Sequence, residues 1–588
     1  MSSASRGGTT ARIVAGVLFV GAISAVAVLG RPAGAGEEVS DLGFRLSETA
    51  AERGIDFRHQ STTLDPRLDN VAPHVAGIGA SVAVTDYDGD GWSDLYFTSS
   101  RFGTPNGLYR NRGDGSFESA GAGAGLADLN EEGVGASMGS VWGDYDNDGR
   151  EDVFVYGWGY QRLFRNVDGT RFEDVSAASG LRVWMNSNAA IWLDYDADGH
   201  LDLYLAGYFR SDIDMWNLES TRIMQNSFEF ATNGGRNRLF RSRGDGTFED
   251  VTEAAGVGST RWTLAVASAD FDEDGLPDLY LANDYGPEEL YLNRGDGTFE
   301  LADGIGLSDD SKSGMSVALG DVHNRGRLDV FVTNISERGY LFQGNNLRIN
   351  HLVEANEFQN VARGVLADAG WAWGAQFGDL DNDGFQDLYI VNGFISADRE
   401  RDYWYGMSKV AGAQGAIFED ARTWPPIGDA SLSGYERSRL LLRRGEFVDV
   451  AESAGVSDDL DGRAVAFADL ENRGVLDVIV ANQNGPPLLY RNEIAPVRRW
   501  IQIELEGRVS NRSAIGAEVI VEFGGARQRQ VVAGGLGFAS QNQRRLHFGL
   551  GDVDRVERAV VRWPSGIEQE LGDLEVDRLH RVVEPETP

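Results

Sequence analysis

Residues 144–152 read Asp-Tyr-Asp-Asn-Asp-Gly-Arg-Glu-Asp, and the spacing Asp-x-Asp-x-Asp-Gly-x-x-Asp returns intact four more times. Those copies start at Asp86 (DYDGDGWSD), Asp194 (DYDADGHLD), Asp270 (DFDEDGLPD) and Asp379 (DLDNDGFQD). Two further copies deviate, from Asp321 (DVHNRGRLD) and Asp469 (DLENRGVLD). The seven starts lie 58, 50, 76, 51, 58 and 90 residues apart, the period of a repeat architecture. An apolar run such as SVAVT or NAAIWL precedes each copy, and LYF, VFV, LYL, LYI or VIV follows it. Aromatic and β-branched residues dominate these runs, so each copy reads as strand, tight loop, strand. An LYRN-like run, a turn as at Asn111–Phe117 and a segment like FEDVTEAAGV at Phe248 complete most units. Four short strands per unit predict an all-β chain built on a seven-bladed β-propeller over residues 41–495. A solenoid uses the same strands, but ring closure removes the exposed edges.

The aspartates point to a hard cation. Carboxylates at loop positions 1, 3 and 5, a backbone carbonyl at position 7 and a carboxylate at position 9 form an all-oxygen shell. Glycine at position 6 supplies the backbone freedom the reversal needs. The expected calcium ligands are Asp86, Asp88, Asp90, Trp92 and Asp94; Asp144, Asp146, Asp148, Arg150 and Asp152; and Asp194, Asp196, Asp198, His200 and Asp202. The remaining two sets are Asp270, Asp272, Asp274, Leu276 and Asp278, and Asp379, Asp381, Asp383, Phe385 and Asp387. An EF-hand requires Glu at position 12, where these copies carry Phe97, Val155, Leu205, Leu281 and Ile390, each in a strand-like run. The loops are therefore β-hairpin sites for about five structural Ca2+ ions. In the two divergent copies position 5 is Arg325 or Arg473. A guanidinium there is placed to pair with Asp321 and Asp329, or with Asp469 and Asp477, in place of an ion; ordinary drift after site loss is the alternative.

Composition bounds the function. With 53 basic and 91 acidic residues among 588 the net charge is -38, which argues against nucleic acid or anionic lipid as a partner. Five divalent ions would bring the charge to -28. The chain has no cysteine, which removes disulfides, thiolate metal sites and cysteine nucleophiles. Arg6 and Arg12 precede an uncharged run from Ile13 to Leu29, followed by Ala33-Gly34-Ala35 and then Glu37 and Glu38. Residues 1–35 thus read as an export signal, giving a secreted or extracytoplasmic protein; the alternative is an uncleaved N-terminal anchor with the chain facing outward.

After Pro496 the repeat stops, and alternating runs (WIQIEL, AEVIVEF, RRLHFGL, RAVVRW) predict a small β-sandwich or barrel-like domain over 496–588. Its polar clusters Ser510–Ser513 and Ser540–Gln543 read as turns, a polar ligand being the other reading. Insertions at about 208–236 and 393–437 interrupt the repeat, the second carrying Phe394, Tyr403, Trp404, Tyr405 and Trp424. Exposed, these rings would suit a glycan, a peptide or an apolar polyene; alternatively they pack over the propeller face. Gly135-Ala136-Ser137-Met138-Gly139 fits a hydrolase pattern but runs into a strand, without the elbow such a nucleophile needs. The seven histidines show no metal-ligand spacing, and Arg-Gly-Asp at Arg112, Arg243 and Arg294 always falls inside the repeat's turn.

The Asp-x-Asp-x-Asp-Gly-x-x-Asp repeats resemble the FG-GAP/VCBS propeller repeats of integrin α-subunits. SNRSAIGAEV, SQNQRRLHFGLG and WPSG at Trp563 are similar to the ASPIC/UnbV domain. Together they resemble the cartilage acidic protein family in its bacterial form, over nearly the whole mature chain. That resemblance implies calcium in the five intact loops and a binding or adhesion scaffold for a protein, glycan or apolar small-molecule ligand. UnbV-type members also occur in enediyne gene clusters, which implies the alternative of an enzyme or accessory protein of enediyne (polyene-derived) biosynthesis. No carboxylate pair stands apart from the metal loops to support a glycosidase.

Overall fold

The computed structural model describes residues 42–307, 312–411, 418–495 and 498–587. The export signal expected over residues 1–35 lies outside the described residues. Among the described residues no helix is long and apolar enough to cross a membrane.

Each Asp-rich copy does join two antiparallel strands. In the first unit Ser81–Thr85 leads into the loop and Asp94–Thr98 returns, with Ser81 opposite Thr98 and Thr85 opposite Asp94. Gly107–Asn111 and Phe117–Ser119 complete a four-stranded meander. The same order recurs in the units whose first strands are Gly135–Gly143, Trp184–Leu193, Thr263–Ala269, Val317–Gly320, Ala372–Gly378 and Gly462–Ala468. These first strands are buried along nearly their whole length, and each touches the first strand of the next unit; that of the last touches that of the first. They therefore line a closed ring. Side chains from adjacent units interdigitate, as where Val82, Leu95 and Phe97 meet Ala464, Ala466 and Ile479.

The ring is sealed by a strand from the other end of the chain. Phe44–Glu48 pairs antiparallel with Leu488–Ile494, Phe44 opposite Ile494 and Glu48 opposite Tyr490. This strand, the first among the described residues, is the outer edge of the last unit's sheet, not part of the unit that follows it in sequence. Its backbone groups pair there, which ties the two ends of the ring together.

From Arg499 onward two sheets form. Arg499–Glu506 lies between Leu546–Gly551, antiparallel, and Arg578–Val583, parallel. Glu518–Phe523 lies between Ala526–Val531 and Arg558–Arg562, with Glu568–Leu571 outermost. One segment leaves these sheets: Ser540–Gln541 pairs in parallel with Val82–Ala83 at the inner edge of the first unit.

Candidate metal centres and the domain that covers them

The loop is shaped by its own carboxylates. In the second copy Asp144 Oδ1 accepts from Asp148 N at 2.9 Å and Oδ2 from Gly149 N at 2.7 Å, folding the loop around position 1. Asp152 anchors it to the sheet, accepting from Asn166 N at 2.7 Å and Tyr145 N at 3.3 Å. The residue at position 4 is left-handed in every copy: Gly89, Asn147, Ala197, Glu273, Asn324, Asn382 and Asn472 have φ between 51° and 71°.

In the intact copies three carboxylates each offer one oxygen within 4.8 Å of the others. The groups are Asp86, Asp88 and Asp90; Asp144, Asp146 and Asp152; Asp194, Asp196 and Asp202; Asp270, Asp272 and Asp278; and Asp379, Asp381 and Asp387. Asp94, Asp148, Asp198, Asp274 and Asp383 stand beside these groups rather than within them. Trp92, Arg150, His200 and Leu276 are partly exposed and Phe385 is exposed. Rim arginines approach the carboxylates, Arg110 at 2.7 Å from Asp90 and Arg241 at 2.7 Å from Asp196.

Burial, and then the neighbouring carboxylates, pushes Asp86 up to about 6 and Asp144 and Asp194 up to about 7. Asp94 and Asp152 rise to about 9 and Asp278 to about 8, again mainly through burial. Asp202, Asp379 and Asp387 are raised well above the ordinary aspartate value by the same causes. Buried Asp86 Oδ1 and Asp196 Oδ1 have no hydrogen-bond partner. Crowded carboxylates, orphaned oxygens and an all-oxygen donor set fit a hard divalent cation.

The loops do more than surround a cation, because the C-terminal domain rests on them. Arg512 N donates to Asn147 Oδ1 at 2.8 Å, and Asp144 N donates to Ser513 Oγ at 2.9 Å. His547 Nε2 meets Asn382 Oδ1 at 2.7 Å, Arg545 donates to Gly91 O at 2.6 Å, and Arg529 lies 3.6 Å from Asp270. The segment 532–543 then enters the ring. Trp192 N donates to Gly534 O at 3.0 Å, Gly537 N to Val317 O at 2.9 Å, Trp142 N to Gln541 Oε1 at 2.7 Å and Phe467 N to Asn542 Oδ1 at 2.9 Å. Phe538, wholly buried, reaches Trp373 with ring centroids 5.1 Å apart. The clusters Ser510–Ser513 and Ser540–Gln543 are thus docking segments, a role the turn reading misses.

Each inner strand runs toward its Asp-rich loop and the second strand runs back. The second-to-third-strand connections and both insertions therefore emerge at the end away from the C-terminal domain. Phe394, Tyr403, Trp404 and Trp424 are buried there, and only Tyr405 of the five is exposed, at 69%. Trp404 stacks on Tyr340 at 5.5 Å, Phe394 packs on Trp371 at 4.5 Å and Trp424 on Phe418 at 5.2 Å. The rings of the insertion pack over the propeller face rather than forming an exposed aromatic platform. Beside them lies a cleft of about 650 Å3, lined among others by Arg58, Thr63, Tyr435, Asp459 and Asn484. Ser137 lies inside the strand Gly135–Gly143, buried, its Oγ accepting from Asn106 Nδ2 at 3.2 Å, so no nucleophile elbow exists.

A family model described as FG-GAP-like repeat matches residues 86–155, 144–205, 230–281, 270–332 and 323–390, and one described as ASPIC and UnbV matches 507–588. Cartilage acidic protein 1 of Homo sapiens is 25% identical over 334 residues, 55% of this chain and 44% of that protein. Its Mus musculus counterpart is 23% identical over 358 residues, 59% of this chain and 49% of that one. The chain thus spans about half the length of the curated relatives it matches. Among solved structures, BBS1N in complex with ARL6DN aligns at TM-score 0.39 and 10% identity, covering 75% of this chain and 98% of that one. An Agrocybe aegerita lectin recognising non-reducing terminal N-acetylglucosamine aligns at TM-score 0.34 and 18% identity, covering 59% and 83%. At such scores neither bears on ligand or fold. FG-GAP-like repeats, a C-terminal ASPIC and UnbV domain and curated relatives named cartilage acidic protein 1 together support a cartilage acidic protein 1-like family for this chain.

Proposed function

We propose that the protein is an exported, calcium-loaded propeller that serves as a binding scaffold. The observation that carries this reading is the set of five three-carboxylate groups, one per intact loop. Asp144, Asp146 and Asp152 and their counterparts would hold the ions, each ion neutralising carboxylates that burial otherwise keeps protonated. The chain's own residues supply the scaffold: inner strands close the ring, and the C-terminal domain covers the loop face. The opposite face carries the larger cleft open to a ligand. That cleft sets polar groups of Thr63, Asn484 and Asp459 beside apolar Leu64, Phe394, Ile395 and Leu460, a mixed lining that suits a ligand with both polar groups and apolar faces, such as a glycan or an extended peptide.

Elemental analysis of the purified chain in calcium-containing buffer tests the metal reading. About five calcium ions per polypeptide are expected; none, or a stoichiometric iron, copper or manganese, overturns it. N-terminal sequencing of the protein recovered from the extracytoplasmic fraction tests export, with a start beyond residue 35 expected for a cleaved signal. A glycan and peptide array probed with the wild type and Tyr435→Ala tests the cleft, and binding that survives the substitution places the ligand elsewhere.

A further inference from the structure

The two divergent loops keep the shape of the intact ones although two of their ligand positions have changed. Arg325 N donates to Asp321 Oδ1 at 2.8 Å and Gly326 N to Asp321 Oδ2 at 2.7 Å. Arg473 N and Gly474 N make the same pair of bonds to Asp469, at 2.8 and 2.6 Å. Position 9 also keeps its place, Asp329 Oδ1 accepting from Asn350 N at 2.9 Å and Asp477 Oδ1 from Asn492 N at 2.8 Å. What differs is the cation. Arg325 Nη2 lies 2.8 Å from Asp329 Oδ1, and Arg473 Nη2 lies 3.0 Å from Asp477 Oδ1. Both aspartates are fully buried, while both arginines are partly exposed, so each guanidinium reaches in from the rim. Two loops 148 residues apart in sequence have arrived at one geometry, which drift alone does not produce.

Both loops also keep asparagine at the left-handed position 4 and use it to hold the C-terminal domain. Gln528 Nε2 donates to Asn324 Oδ1 at 2.9 Å, and Arg545 Nη1 donates to Asn472 Oδ1. The loop carboxylates join in: Arg529 N donates to Asp321 Oδ2 at 3.1 Å and Gln502 Nε2 to Asp469 Oδ2 at 3.0 Å.

We infer that Arg325 and Arg473 are built-in substitutes for calcium, converting the fifth and seventh loops from metal sites into metal-independent docking points for the C-terminal domain. The guanidinium supplies the positive charge that the buried position-9 carboxylate needs, and position 4 remains free to bind the domain. The inference rests on the calcium reading of the other five loops. It adds that docking has two parts: contacts at the first, second, fourth and sixth loops depend on ions, and contacts at the fifth and seventh do not.

The test counts calcium per chain and follows amide hydrogen exchange in the full-length protein. Arg473→Asp restores a four-carboxylate loop, since Asp469, Glu471 and Asp477 are already present, and is expected to bind one calcium ion more than the wild type. His323→Asp combined with Arg325→Asp is expected to do the same. In chelator, the wild type is expected to lose exchange protection at Arg512 and Gly551, whose amides donate to Asn147 Oδ1 and Asn382 O, while retaining it at Arg527 and Arg529, whose amides donate to Asn324 O and Asp321 Oδ2. Arg473→Met, which removes the charge and adds no ligand, is expected to lose protection at 543–545 even with calcium saturating. Calcium located at the fifth or seventh loop of the wild type overturns the inference, as does unchanged exchange in Arg473→Met. A wild type that binds no calcium defeats the reading of the intact loops instead, and the Arg473→Met comparison then still decides the part played by arginine.

Discussion

Chelation of calcium is the perturbation on which the metal reading stands or falls, and its size follows from the loop count. A ligand that binds only the folded state at 100 times its dissociation constant adds about 2.7 kcal/mol. Five such sites, one for each carboxylate group, would add about 13 kcal/mol, comparable to the whole stability of about 5–15 kcal/mol typical of folded proteins. Chelation is therefore expected to leave a protein that melts far lower. The pH dependence has a definite sign. With the ions removed, Asp94 and Asp152 titrate near 9 and Asp278 near 8 in the folded chain, against an ordinary aspartate value of 3.8. The folded chelated protein thus holds protons that the unfolded chain has released. Its extra stability is complete below about pH 4 and is lost as pH rises through about 8–9. Calcium expels those protons, so its affinity rises over the same interval. Scanning calorimetry in calcium and in chelator, at about pH 6 and about pH 9, reads both effects. A melt insensitive to chelator, or a chelated protein that gains stability from pH 6 to 9, refutes the reasoning.

Three further outcomes follow from named contacts. Phe538→Ala removes the wholly buried tip of the segment inside the ring and is expected to cost about 3–5 kcal/mol, read as a lower Tm and faster proteolysis of the C-terminal domain; a wild-type melt would mean the segment bears little load. The guanidinium of Arg463, fully buried, donates to the carbonyls of Gly77, Gly393, Gly462 and Phe394 at 2.7–2.8 Å. Arg463→Lys cannot reach all four and is expected to cost about 1–3 kcal/mol in denaturant unfolding. Ser137→Ala is expected to leave any ester hydrolysis by the purified protein unchanged, since that hydroxyl is buried in a strand; a loss of hydrolysis would reopen the motif.

Local features of this chain were readable and distant pairings were not. The alternation around Asp86 or Asp144 specifies strand, loop and strand within nine residues, and the repeat multiplies that signal into a ring. The partner of Phe44–Glu48 lies more than 400 residues away, and a five-residue run carries no mark of which sheet it will close. The segment 532–543 is rich in glycine and polar side chains, as a surface turn would be. Its burial rests on hydrogen bonds to backbone and amide groups of the inner strands, and such bonds leave no hydrophobic pattern. The rings at Phe394 and Trp404 are equally silent about exposure, because Trp371, Trp373 and Tyr340, which cover them, belong to other parts of the chain.

Position 4 of the loop shows most plainly what a motif conceals. In the sequence it is an unspecified residue between two ligands: glycine, asparagine, alanine or glutamate. In the fold it is held left-handed, and Asn147, Asn324, Asn382 and Asn472 each meet a group of the C-terminal domain while their Nδ2 donates to the glycine carbonyl of the neighbouring loop. Asparagine tolerates that backbone better than most residues and brings both a donor and an acceptor. The positions around it gather carboxylates that fit a cation, and it meets a domain, so the two duties can be separated. The fifth and seventh loops show that separation: the ligand positions have changed to histidine, glutamate and arginine, and the asparagine has stayed. The loop face of the ring is largely occupied by its own C-terminal domain, and the far face carries the larger cleft. It is there, beside the cleft at Tyr435 and Asn484, that the search for a ligand belongs.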